Sequence, residues 1–142
     1  KQRGYETMGV ILSRNNVISA STRVTKRAYQ QVYGPLDDAH LFIGAATYED
    51  GYRAGEYFAA QEPQVAAVFA NGDDIGAGVY QYYIDHQLPP MPIIGQENLL
   101  TSRLLKFSTI DHHLESLGQS AFRLAMGKTR THELIKSEFI ER

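Results

Sequence analysis

Apolar positions along the chain fall into two rhythms. Short continuous runs at Val10-Ile11-Leu12, Leu41-Phe42-Ile43, Val65 to Ala70, Pro92 to Gly95 and Phe107 to Ile110 have the length of strands. The unbroken run from Val65 to Ala70 is typical of a strand buried on both faces. Between these runs the pattern becomes helical. Asn15 and Asn16 read as turn residues. Ser19 to Ser21 supplies capping hydroxyls, and a helix through Val24, Ala28, Gln31 and Val32 stops at Gly34-Pro35. A loop from Gly44 to Asp50 leads to a helix through Tyr52, Gly55 and Ala59 that ends before Pro63. Asn71-Gly72-Asp73-Asp74 turns the chain into a helix carrying Ile75, Val79 and Tyr82 or Tyr83, closed by Pro89-Pro90. Gln96 to Lys106 is irregular or one short helix. Leu114, Leu117, Ala121 and Leu124 then recur at three- and four-residue spacing before Gly127, and Leu134 to Ile140 alternates like an edge strand.

Repeated strand-helix alternation predicts an α/β fold: an open, doubly wound, mostly parallel five-stranded sheet with helices on both faces, plus a C-terminal edge strand. Ligands of such sheets bind beyond the carboxyl ends of the strands. That rule marks Ser13 to Arg23, Ala45 to Asp50, Asn71 to Asp74, Gln96 to Asn98, and Asp111 to His113.

Composition narrows the function. The 142 residues suit one domain, and a net charge of -2 argues against a free-standing nucleic-acid binder. No stretch approaches the roughly 20 apolar residues of a membrane span. Without cysteine there are no disulfides or thiolate metal sites. The opening Lys1-Gln2-Arg3-Gly4, with no initiator Met and no signal peptide, is expected of a fragment of something longer.

Gly72, Gly76 and Gly78 lack the Lys-Ser/Thr ending of a phosphate loop and the spacing of a dinucleotide fingerprint, so they read as packing and turn glycines. No Gly-x-Ser-x-Gly elbow signals an acyl-transfer serine. Asp111-His112-His113 with Glu115 invites a metal, but adjacent strand-end histidines point apart and no i, i+4 pair supports them. A ligand-facing or helix-capping histidine is the better reading, and no metal or cofactor is expected. His40, His86 and His132 read as surface residues. Asp73 fits a helix N-cap, the favoured reading, or an acceptor for sugar hydroxyls. Glu97 lies beyond an apolar strand, where packing needs no carboxylate. Arg23 opposes the dipole at a helix start, a local conflict that binding residues often show. Tyr48 or Tyr52 could stack on a pyranose.

These residues carry a resemblance. Gly4 to Ile11, Gly51-Tyr52, Ala67 to Gly78, Ile93 to Asn98, Ser108 to Ile110 with Gly118 and Ala121, and Phe139 to Arg142 follow in order the motifs of lactose-repressor-type (LacI/GalR) transcription regulators. The chain resembles the carboxyl-terminal half of their effector domain, a type I periplasmic sugar-binding (periplasmic binding protein-like I) subdomain. The resemblance implies that residues 1–142 are that half, with the DNA-binding domain and the first effector subdomain absent. It implies a non-enzymatic, cytoplasmic repressor that senses a sugar or sugar phosphate by cleft closure. Operator DNA would be bound only through the missing domain, and a homodimer is expected, with no membrane partner. The alternative on the same fold is a solute-binding protein of a sugar transporter. A small doubly wound enzyme or phosphoacceptor domain would need an exposed Asp after the first strand, and Ser13 to Asn16 has none.

The residues expected to meet the effector are Ser21, Arg23, Tyr48, Asn71, Asp73, Glu97 and His112. Several depart from the family. Gly72 stands where an Asn contacts the effector, with Asn71 one place earlier. Glu97 replaces an Asp. The family's arginine position falls on Thr25, two residues after Arg23, and its stacking aromatic on Ala46. His112 falls on a frequent Gln. In the family the helix after the fifth strand belongs to the missing subdomain. Here Leu114, Leu117, Ala121, Phe122 and Leu124 would lose its cover, worth ~1.5–3 kcal/mol for each large side chain. That helix is expected to pack onto its own sheet, to swap into a neighbouring chain, or to be mobile.

Overall fold

A computed structural model describes residues 4–14, 19–127 and 132–142. The turn read at Asn15 and Asn16 lies outside them. Strands β1 (Gly9–Leu12), β2 (Leu41–Ile43), β3 (Val68–Ala70), β4 (Ile93–Gln96) and β5 (Ser108–Asp111) alternate with helices α1 (Ala20–Tyr33), α2 (Tyr48–Ala59), α3 (Asp73–Asp85) and α4 (Leu100–Leu105). Helix α5 (Leu114–Met126) and strand β6 (Glu138–Ile140) complete the chain. The sheet order is β2-β1-β3-β4-β5-β6. The first five strands pair in parallel, and β6 runs antiparallel to β5 at the edge. The expected five-stranded parallel sheet with an added edge strand is the observed one.

Side chains alternate along β1 and divide the core. Ile11 joins Ala54, Phe58, Val68, Ile75 and Val79 beneath α2 and α3. Val10 and Leu12 face the other way, onto Tyr29 of α1. The α2–α3 crossing is close because of two glycines. A Cβ on Gly51 would lie 2.1 Å from the Ile75 carbonyl oxygen, and one on Gly78 2.1 Å from that of Tyr48. The packing role read for Gly78 is therefore a backbone-on-backbone contact.

Local chemistry explains most boundaries. Ser19 caps α1 by accepting from the Thr22 amide, as its hydroxyl suggested. Helix α2 begins earlier than the predicted loop allowed. Thr47 caps it through the Asp50 amide, so Tyr48, Glu49 and Asp50 form its first turn. The carboxylates of Glu49 and Asp50 there favour the helix dipole. The run from Val65 and the alternation from Leu134 shorten to Val68–Ala70 and Glu138–Ile140. Hydrophobicity in those runs extends beyond the residues that find ladder partners.

Helix α5 does not pack onto its own sheet. Ser120 is its buried residue, while Leu114 and Leu117 are each 49% exposed, Phe122 68% and Met126 72%. Of the outcomes open to a helix without its partner, cis packing is the one the structure removes. No helix among the described residues is long and apolar enough to cross a membrane.

Candidate functional site

The carboxyl ends of the strands carry a line of polar side chains across the sheet. Ser13 follows β1, Asn71 follows β3, Gln96 ends β4, His112 follows β5, and Ser137 precedes β6. They are linked in that order. Asn71 Nδ2 donates to Ser13 Oγ at 3.4 Å, and Gln96 Nε2 to Asn71 Oδ1 at 3.5 Å. His112 Nε2 lies 3.0 Å from Gln96 Oε1, which can only accept, so that nitrogen carries the proton. In the neutral ring Nδ1 then accepts from Ser137 Oγ, 2.8 Å away. The contacts near Asn71 are long, and these amides can turn toward a ligand at little cost. Parallel pairing brings them together, because it places every strand's carboxyl end on one edge.

Gln96 and His112 also rim a pocket of about 440 Å³ between α1 and the sheet, with Ser21 and Thr25 on the helix side. Below this polar mouth the walls are Met8, Val10, Val24, Ala28, Phe69 and Ile110. Ser21 Oγ lies 3.1 Å from Ser19 Oγ. Arg23 sits on the same first turn of α1, exposed, and its amide is bonded to the Ser19 carbonyl.

Glu97 follows Gln96 with φ +95°, and Asn98 has φ +54°, two consecutive left-handed residues at the edge. Partial burial raises the Glu97 pKa above the usual carboxylate range. The charges of Asp73 and Asp74 push the same way, and His112 opposes them. The turn is held from below. Asn98 donates to Asp111 Oδ2 at 2.9 Å, and its amide reaches Thr109 Oγ1 at 3.3 Å. Arg142 Nη2 donates to Asn98 Oδ1. Asp111 also accepts from the His113 amide at 2.7 Å. That backbone bond, and then the Asn98 side chain, holds the Asp111 pKa below the ordinary value.

Asp73 requires a correction on both readings. Gly72 occupies the cap position, and no side chain caps α3 there. The Asp73 carboxylate is completely buried; one oxygen accepts from Thr109 Oγ1 and the other from the Leu99 amide, both at 2.7 Å. Close approach of Gly95 makes room, since a Cβ there would lie 2.1 Å from Asp73 Oδ1. Asp73 therefore ties α3 to β5 and to the start of α4, and its acceptor capacity is taken up inside the protein.

Tyr48 opens α2 beyond β2 and is 41% exposed. Tyr52, the alternative stacking residue, turns toward α3, where its hydroxyl donates to Asp85 and its ring meets Tyr82 edge-on. Asn71 and His112 are thus joined through Gln96, Glu97 adjoins them, and Ser21 shares the pocket mouth with His112. Among the described residues nothing links Tyr48 to that group. The reading from sequence marked the segments that hold Ser13 and Gln96 without naming either as a contact, and it missed Ser137. A polar residue ending an apolar strand was the available signal for Gln96, within an edge segment already marked. Among the described residues no group of three or more His, Asp or Glu side chains could hold a metal ion.

Comparisons agree with this architecture. No protein-family model matches the chain. It is 35% identical over 124 residues to catabolite control protein B of Bacillus subtilis (strain 168), covering 87% of this chain and 40% of that protein. A regulatory protein of the LacI family from Chloroflexus aggregans superposes with a TM-score of 0.84 at 17% identity, over 99% of this chain and 56% of its own. The transcriptional regulator CelR, solved as a cellobiose complex, gives 0.79 at 16% identity, over 98% of this chain and 46% of its own. The chain thus spans 40% of that curated relative and about half of these solved structures.

Sheet order and edge strand match the effector-binding subdomain fold of solved LacI-family regulators. The chain is a homologue of catabolite control protein B and shares the fold of LacI-family regulators. Its homologues are regulators rather than enzymes.

Proposed function

We propose that the chain is the carboxyl-terminal half of the effector domain of a DNA-binding transcriptional repressor, and that it forms one wall of a cleft for a carbohydrate. The observation that carries this reading is the polar line from Ser13 to Ser137 with Glu97 beside it. It offers amide, imidazole and carboxylate groups at the one edge where such sheets take ligands. Hydroxyl-rich ligands need this mixture of donors and acceptors. CelR, on the same fold, is solved with cellobiose.

The effector contacts proposed are Asn71, Gln96, Glu97 and His112 from the sheet edge, with Ser21 and Arg23 from α1 and Tyr48 from α2. Asp73 acts behind them, holding the turn that presents Glu97. Glu97 and Asp74 make the sheet edge acidic and favour neutral sugar hydroxyls, whereas Arg23 marks where a phosphate would sit. A sugar bridging this wall and a second subdomain would favour the closed cleft, and closure would shift operator affinity through a separate DNA-binding domain. The protein would act in the cytoplasm as a homodimer.

The test is a thermal-shift series on the longest polypeptide carrying this sequence. Cellobiose, glucose and glucose 6-phosphate are compared on the parent, Gln96→Ala, Glu97→Ala and Arg23→Ala. A sugar at 100 times its Kd adds about 2.7 kcal/mol of stability. The expected result is a sugar-dependent shift in the parent that Gln96→Ala and Glu97→Ala abolish. Loss of the shift in Arg23→Ala only for the phosphorylated sugar would place a phosphate at α1. An undiminished shift in both sheet-edge variants would sink the assignment.

A further inference from the structure

We propose that His112 is a positioning residue: its Nε2–H sets the direction of the Gln96 and Asn71 amides, so that both turn N–H groups toward the effector. The proposal rests on the effector reading above and adds the polarity of that edge. Every member of the line from Ser13 to Ser137 can donate or accept, since it is built of two hydroxyls, two primary amides and one imidazole. Two arrangements are therefore self-consistent, and they run in opposite senses. In the structure Ser137 donates to His112 Nδ1, His112 Nε2 to Gln96 Oε1, Gln96 Nε2 to Asn71 Oδ1, and Asn71 Nδ2 to Ser13 Oγ. With the ring proton on Nδ1 instead, Nε2 would be an acceptor. Gln96 would then have to turn its amide over to donate to it, and Asn71 would have to follow.

The ring is the pivot of this choice. The hydroxyls at the two ends rotate to suit either sense. While Nε2 holds the proton, a turned Gln96 amide would set two donors against each other across 3.0 Å. Both ring nitrogens are spent within the protein, so the polar influence of His112 reaches a ligand through Gln96.

Each amide nitrogen carries two hydrogens, and the line uses one of them. The second hydrogen on Gln96 and on Asn71 has no partner among the described residues. Glu97, the next residue, supplies the opposite polarity, because an ionised carboxylate only accepts. The edge is thus divided into donors at Asn71 and Gln96 and an acceptor at Glu97. That division suits a carbohydrate whose ring or linking oxygen, which can only accept, lies at the amides while a hydroxyl lies at Glu97.

Two experiments on the longest polypeptide carrying this sequence test this. The first needs no ligand. Isotopic labelling of the imidazole nitrogens reads the tautomer by NMR above the ordinary imidazole pKa of about 6.5. His112 is identified among the five histidines by the signal missing from His112→Gln. A single Nε2–H tautomer is expected, and it should persist in Ser137→Ala. An Nδ1–H or mixed population would overturn the proposal. The second experiment measures affinity for cellobiose, glucose and glucose 6-phosphate by thermal shift. Gln96→Glu keeps the shape and the acceptor for His112 but removes the donors. Affinity for the sugar that stabilises the parent should fall about tenfold, the worth of one hydrogen bond. His112→Gln, whose Nε2 can still donate to Gln96, should stay within about threefold, whereas His112→Leu should lose about tenfold. Binding kept or strengthened in Gln96→Glu would overturn the proposal, since the ligand would then be donating there. Equal losses in His112→Gln and His112→Leu would overturn it too. If no sugar shifts the parent, the effector reading fails, while the tautomer still decides the direction of the line.

Discussion

Replacing Asp73 tests whether a carboxylate that looked like a cap or a ligand contact is instead a tie within the fold. Its two oxygens accept from Thr109 Oγ1 and the Leu99 amide at 2.7 Å, and neither Asp73 nor Thr109 is exposed. Asp73→Ala leaves both donors without their acceptor. A buried donor so orphaned costs about 1–3 kcal/mol. The Thr109 hydroxyl is fully enclosed and belongs at the upper end, while the Leu99 amide is partly exposed and can reach water. The sum is about 3 kcal/mol. Asp73→Asn keeps the shape: its carbonyl can still accept from Leu99, and its amide can donate to the Thr109 hydroxyl, which turns from donor to acceptor. That variant should cost roughly 1 kcal/mol. Urea unfolding reads the difference as a lowered midpoint at unchanged slope. By melting, Asp73→Ala should lose roughly 10 °C. The reasoning fails if Asp73→Ala lies within 1 kcal/mol of the parent, a threshold of about the worth of one hydrogen bond. It also fails if Asn is as damaging as Ala, because the tie would then depend on charge rather than on paired donors.

Three further outcomes are expected. The native Glu97 pKa is raised, so the folded state binds its proton more readily than the unfolded chain does, and stability falls as pH rises through that range. Glu97→Gln should therefore melt higher than the parent near pH 7, with the gap closing as pH falls below the ordinary glutamate value. A gap that widens in acid would refute this. Asp111 has the opposite sign: its depressed pKa contributes stability that is present above the ordinary aspartate value and is lost in acid through the lower, folded pKa. Asp111→Asn should thus flatten the acid limb of a melting-temperature profile. Tyr83 is 4% exposed, its hydroxyl has no partner among the described residues, and burial pushes its pKa up to about 12. Tyr83→Phe should raise unfolding free energy by about 1 kcal/mol, since it removes an unsatisfied polar atom, and a loss of stability in calorimetry would contradict that.

Element order was legible in the sequence because each strand is a dense apolar run and each helix keeps its spacing. Those local signals survive in any context. Ser19 as a cap was legible for the same reason: the hydroxyl and the amide it serves are three residues apart. The early start of α2 was not, because Thr47 competes with an equally plausible loop and only the close crossing of α2 and α3 at Gly51 and Gly78 decides between them.

The candidate site divides in the same way. The five edge segments followed from topology, and Asn71, Glu97 and His112 lie within three of them. The roles did not follow, since they depend on residues distant in sequence. Asp73 becomes a buried tie through Thr109, 36 positions away, and Gln96 becomes central through partners 25 positions before it and 16 after. Nor could the spacing of Leu114, Leu117, Ala121 and Leu124 say what that helix faces. Taken alone, the sequence determined the alternation, the sheet class and the edge at which a ligand is proposed, all of which are set by short-range pattern and chain handedness. Tertiary structure alone decided which polar groups are consumed inside the protein and which remain for a ligand, because burial and hydrogen-bond geometry are set by residues that meet only once the sheet has closed.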